Sequence, residues 1–72
     1  KFNLTLLISD LSCIKYIKLN LETLKVGPSL IYLELLVDGS LTKIKIKENI
    51  KFTQDFLNAI SNIKGIRSIS YS

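Results

Sequence analysis

The sequence predicts a small α+β domain in the order helix, strand, strand, helix, strand, with a three-stranded sheet carrying two helices on one face. Three observations predict it. Apolar residues recur at helical spacing near the start, at Leu4, Leu7, Ile8, Leu11 and Ile14. They then alternate with a period of two, at Ile17, Leu19 and Leu21 and again at Ile31, Leu33, Leu35 and Val37. A second helical stripe follows, at Ile46, Ile50, Thr53, Leu57 and Ile60.

The first segment, residues 3–12, reads as a helix capped by Asn3 or Thr5. Its rival is a strand over 2–8, because Phe2, Leu4 and Leu6 also alternate. Residues 14–26 read as a half-buried strand, with Lys18, Asn20 and Glu22 on the polar side. Gly27-Pro28-Ser29 has strong turn chemistry, and residues 30–37 return antiparallel to the strand before it. The outer face of that return strand carries Leu30, Tyr32, Glu34 and Leu36 and is not cleanly polar, which makes it a candidate partner surface.

After Asp38-Gly39 two readings stand. In one, Ser40 or Thr42 caps a long helix with Lys43, Lys47 and Lys51 along one stripe. In the other, Asp-Gly is a hairpin turn, Thr42, Ile44 and Ile46 alternate with lysines as an edge strand, and only 52–62 is helical. Both end the helix near Lys64-Gly65, with Gly65 as its left-handed C-terminal residue. A last strand, 66–71, closes the sheet, and the opposite parity of Ile66 and Ile69 predicts a bulge or a loop residue.

Composition narrows the function. A chain of 72 residues is one domain, and at this size only about 60% of the unfolded surface is buried. With 47% hydrophobic residues, self-association is the simplest outlet for the surplus. No apolar run approaches the roughly 20 residues that span a bilayer. The start at Lys1 rather than Met sets the expectation of a piece of a longer chain.

With no histidine, no paired carboxylates and no glycine-rich phosphate motif, no general acid–base pair can be named, and the chain is expected not to be an enzyme. Net charge is +4, but arginine occurs only as Arg67, so no specific nucleic-acid reading is expected. Tyr16, Tyr32 and Tyr71 lack the arginine and glycine pattern of base-stacking modules. The single cysteine, Cys13, excludes an internal disulfide and points to a reducing compartment; its bland reading is a small buried hydrophobe. The lysine stripe reads as a solvated face.

Ile14-Lys15-Tyr16-Ile17-Lys18, leading to Leu24-Lys25-Val26-Gly27-Pro28 and then to Ile31-Tyr32-Leu33-Glu34-Leu35-Leu36-Val37-Asp38-Gly39-Ser40-Leu41-Thr42, resembles the C-terminal cytoplasmic domain of cation diffusion facilitator transporters. The resemblance implies a ferredoxin-like, metallochaperone-like domain on the cytoplasmic face of the cell membrane. Its partners would be a second copy of itself and its own transmembrane domain upstream, and it would regulate efflux of a divalent metal. Leu30, Tyr32 and Leu36 would form the dimer contact.

Some members of that family bind zinc or manganese through histidines early in the second helix and on the last strand. Here those regions carry Lys45 and Lys47, and Ser68 and Ser70, which leaves Asp38 as the one metal-ligand position and no cofactor otherwise expected. Asp-Gly at a strand end is also ordinary turn chemistry. Residues 56–70, from Phe56-Leu57 through Lys64-Gly65-Ile66 to Ser70, look in addition like the closing helix and strand of ACT-type regulatory domains, including those of magnesium-transport-associated membrane proteins. That likeness implies small-ligand binding, a first strand at 2–8 and a shorter second helix.

Overall fold

Leu4, Leu6 and Ile8 are almost completely buried and alternate with Thr5 and Leu7, so the chain opens with a strand, β1 (Leu4–Ile8), and not with a helix. In the computed structural model, which describes residues 3–72, β1 leads through a 3₁₀ turn (Leu11–Cys13) to α1 (Ile14–Leu21). There follow β2 (Val26–Val37), β3 (Ser40–Ile50), α2 (Gln54–Ser61) and β4 (Ile66–Tyr71). Lys1 and Phe2, where the strand reading of 2–8 begins, lie outside the described residues.

The sheet has four strands rather than three, in the order β3-β2-β1-β4. β1 runs parallel to β2 and antiparallel to β4, and β2 and β3 form an antiparallel hairpin. The parallel pair requires a crossover, and α1 supplies it. No strand lies between β1 and β2, so this βαβ unit is unsplit within a βαββαβ order.

Two early assignments are corrected by one physical fact: the same residues satisfy two periods. Leu4, Leu7, Ile8 and Leu11 have helical spacing, yet Leu11 is 60% exposed while Leu4 and Leu6 are 0% exposed between β2 and β4. In 14–26 the alternation of Ile17, Leu19 and Leu21 is the accidental pattern. Ile17 and Leu21 point into the core one helical turn apart, and Leu19 stands in solvent.

The turn into α1 is set by Asp10, whose Oδ1 accepts hydrogen bonds from Ser12 N at 2.9 Å and Ser12 Oγ at 2.8 Å. α2 begins where Thr53 Oγ1 accepts from Phe56 N at 3.0 Å, with Asp55 in the positively polarised first turn.

Gly27-Pro28 is not a turn but a bulge inside β2. Val26 and Ser29 both face Ile50, which leaves Gly27 and Pro28 looped out of the ladder, where the missing proline N–H costs no pairing. The long-helix reading of 40–60 gives way to the hairpin. Asp38 (φ 50°) and Gly39 (φ 79°) supply the two positive φ values of a type I′ turn, and α2 is short.

Gly65 (φ 107°) lies beyond the end of α2, in the turn before β4. A side chain there would meet the Cβ atoms of Asp10 and Cys13 at 3.2 Å, so glycine lets the α2–β4 loop close on the β1–α1 loop, where Ser9 N donates to Gly65 O at 2.9 Å.

The core is one layer between the sheet and both helices: Leu4, Leu6, Ile8, Ile31, Leu33 and Ile50 from the sheet meet Cys13, Ile17, Leu21, Phe56 and Ile60. The first and last described residues meet as well. Asn3 N donates to Ser72 O at 2.8 Å and Ser72 N to Asn3 O at 3.0 Å.

Gly27 gives a test of the bulge. A Cβ at this position would lie 2.5 Å from Lys51 Cβ and 2.8 Å from Ile50 O, the second a backbone atom. Gly27→Ala is expected to destabilise the domain by about 1–3 kcal/mol, read as a lower urea midpoint at unchanged slope. An unchanged midpoint would show that the bulge relaxes freely.

Candidate functional site

The register fixes which side chains share the uncovered face of the sheet. On β1 this face takes Thr5 and Leu7; opposite them stand Tyr32 and Glu34 on β2 and Ser70 and Ser68 on β4. On β3 it takes Lys43 and Lys45, which pair with Glu34 and Tyr32, and at the hairpin end Leu41 pairs with Leu36.

Lys43 Nζ sits 4.5 Å from the centroid of the Tyr32 ring, which confirms that the two side chains share a face. Leu36 and Leu41 are 62% and 57% exposed, and with Leu7, Ser9 and Arg67 they line a shallow hollow of about 280 Å³.

Arg67 owes its place to irregular pairing. Leu7 pairs with Ser68 but Ile8 pairs with Ile66, so Arg67 is the extra residue of a β-bulge, the first of the two alternatives, bulge or loop residue, that the parity of Ile66 and Ile69 left open. Neither Arg67 nor Glu34 makes an ion pair among the described residues. The ion pair between Lys45 Nζ and Glu48 Oε2, at 3.0 Å, is exposed at the far end of β3 and contributes little.

Leu30, Tyr32 and Leu36 therefore lie along β2, with Tyr32 and Leu36 on the uncovered face and Leu30 next to Ile31, its N–H donating to Asn3 Oδ1 at 3.3 Å. Leu7, Leu41 and Arg67 join them, and sequence reasoning missed all three. The early helix hid Leu7, the choice between two readings of 40–50 hid Leu41, and only the mismatched parity around 66–69 pointed towards Arg67.

Asp38 stands on the exposed hairpin turn, at the tip of the sheet. Among the described residues no three histidine, cysteine, aspartate or glutamate side chains are grouped so as to hold a metal ion. No helix among them is long and apolar enough to cross a membrane.

The tyrosines do not form a stacking platform. Tyr16 is on α1 beside Lys15, Tyr32 is on the open face, and Tyr71 pairs with the core residue Leu4 at the other end of β4. The lysines of 43–51 lie on a strand and its exit rather than along a helix.

A second hollow, about 500 Å³, opens between α1 and the turn after α2 and is lined by Asp10, Ser12, Tyr16, Asn20, Asn62, Ile63 and Lys64. The Asp10 carboxyl is held below its ordinary value by the Ser12 N–H, then by the Ser12 hydroxyl, with a smaller contribution from the Lys64 ammonium. Cys13 is 1% exposed, and burial, followed by the Asp10 carboxylate, pushes its thiol up.

Compared with family models, curated proteins and solved structures, the chain matches none.

The Cys13 shift sets a pH dependence with a definite sign. The folded state holds the thiol proton more tightly than the unfolded chain, so the contribution is complete below the ordinary value of 9.0 and is lost as pH rises beyond it towards the raised folded value. Cys13→Ala is expected to flatten the alkaline decline of the urea midpoint measured between about pH 8 and pH 10. An equal decline in both proteins would place the titration elsewhere.

Proposed function

We propose that this domain is a non-catalytic association module, and that it pairs with a second copy of itself through the uncovered sheet face. One observation carries the proposal: Leu36 and Leu41, both more than half exposed, continue into Leu7 and Tyr32 on a face that no helix covers. A sheet face left in water commonly carries polar residues, and here leucines interrupt them. A second copy is the partner that the surplus apolar surface of a small domain favours.

The resemblance to transporter cytoplasmic domains supplies a context for this pairing. In that context the module hangs below the transmembrane part of a divalent-metal efflux protein, at the cytoplasmic face of the membrane, and the packing of two copies couples to transport. The support for this context is the pattern of 25–42, which forms the β2–β3 hairpin; residues 14–21 fold as a helix where the resemblance has a leading strand. Asp38 enters it only as an exposed turn carboxylate, and no regulatory metal is proposed at it.

A second reading has its own support. The first strand at Leu4–Ile8 and the short α2 (Gln54–Ser61) are what the likeness to ACT-type regulatory domains implies, and the hollow between α1 and the turn after α2 has the size of small-ligand sites.

Light scattering across a concentration series tests the first reading. A concentration-dependent dimer is expected, and Leu36→Asp is expected to leave the fold intact, as judged by circular dichroism, while weakening association at least about tenfold. A strict monomer at millimolar concentration would refute self-pairing.

Thermal unfolding with millimolar amino acids separates the second reading. On the first reading the midpoint moves by less than about 1 °C, whereas a rise of several degrees would select a ligand site.

A further inference from the structure

The uncovered face carries two opposite charges arranged so that two copies, and not one, can satisfy them. Glu34 on β2 and Ser68 on β4 both stand opposite Leu7 of β1, and Arg67 is the bulged residue beside Ser68. β2 and β4 flank β1 and so lie about 10 Å apart.

The neighbouring charge that could neutralise Glu34 within the chain is its cross-strand partner Lys43, but the Lys43 ammonium lies over the Tyr32 ring, and no ion pair forms between them. Arg67 likewise has no acidic partner among the described residues. Between the two charges stands Leu7 of β1, and towards the hairpin Leu36 of β2 and Leu41 of β3 line one hollow with Leu7 and Arg67.

We infer that two copies pack face to face about a two-fold axis running along β1 above Leu7, so that Glu34 of each copy pairs with the partner's Arg67. The geometry follows from strand order alone. Such an axis exchanges the positions on either side of β1, so β2 faces the partner's β4 and Leu7 faces its own copy.

Glu34 then meets the partner's Arg67 twice over, at both ends of one apolar seam. Tyr32 comes to lie over the partner's Ser70, since both stand opposite Thr5. β3 is two strands from β1 on one side, and on the other side the sheet ends at β4. Lys43 and Lys45 therefore overhang the partner's edge rather than facing its lysines. A net charge of +4 per chain opposes association, and this placement sets neither lysine against its own copy in the partner.

A standard interface of about 800 Å² per partner would take about a sixth of the 4838 Å² surface. The paired charges set the register of the contact more than its strength.

This inference rests on the self-pairing reading, and charge reversal separates the two. Glu34→Arg and Arg67→Glu are each expected to weaken the dimer at least about tenfold, because like charges then face each other at both sites. Two results would establish the pairing: the double variant dimerises within about threefold of the original protein, and the two single variants mixed in equal amounts form a heterodimer by native mass spectrometry. Circular dichroism checks that each variant is folded.

If Leu36→Asp disrupts the dimer but neither charge reversal does, or if the folded double variant and the mixture stay monomeric, the Glu34–Arg67 pairing is overturned and the face remains the contact. If the unaltered chain never dimerises, both the pairing and the reading beneath it fall.

Discussion

The constraint on which the structure depends is that β1 must be sealed on both edges and on one face. Its backbone pairs with β2 on one side and β4 on the other, and Leu4, Leu6 and Ile8 are buried against the helices. A parallel neighbour on one edge demands a crossover on the helix side, which fixes α1; an antiparallel neighbour on the other edge demands that the chain return from β3 across the same side, which fixes α2. The hairpin, the bulges and both glycine contacts are adjustments to that frame.

Placing both helices on one side leaves the other side of the sheet without a covering layer. That face is chemically mixed. Serines and Thr5 line the β4 half, lysines line the β3 half, and leucines lie between with Glu34 and Arg67 set into them. The bulge that introduces Arg67 is thus a device of placement, since regular pairing of β4 would have kept strict alternation through that position. Nothing comparable is built on the hollow between α1 and the turn after α2, where Asp10 is committed to capping the 3₁₀ turn through Ser12.

The latter half of the molecule was largely legible in the sequence. The strand after Gly65 and the apolar face of β2 follow from local chemistry, and the bulge in that strand and the hairpin at Asp38-Gly39 were each one of two readings. The first 26 residues were not, because leucine and isoleucine fall there at spacings that satisfy both a helix and a strand, and only pairing with β2 and β4 decides between them. Gly27-Pro28 was misread for a related reason. The dipeptide breaks regular pairing in a bulge as well as in a turn, and the partner strand determines which. The site was half visible: Tyr32 and Leu36 could be placed on an outer face from β2 alone, but Leu7 and Arg67 join that face only once β1 is known to be a strand.

The reciprocal hydrogen bonds between Asn3 and Ser72 bring the two ends of the described chain to a single point. A domain whose entry and exit coincide can be carried as an insertion in a host loop, or have its ends joined and be opened elsewhere, without disturbing its sheet. The exposed turn at Asp38-Gly39 is the natural place for such a new opening, where a nick separates two strands that their own ladder still holds together. In a permuted chain of that kind β1 would lie in mid-sequence, and the central strand would no longer have to await the last residues of the chain for its second neighbour.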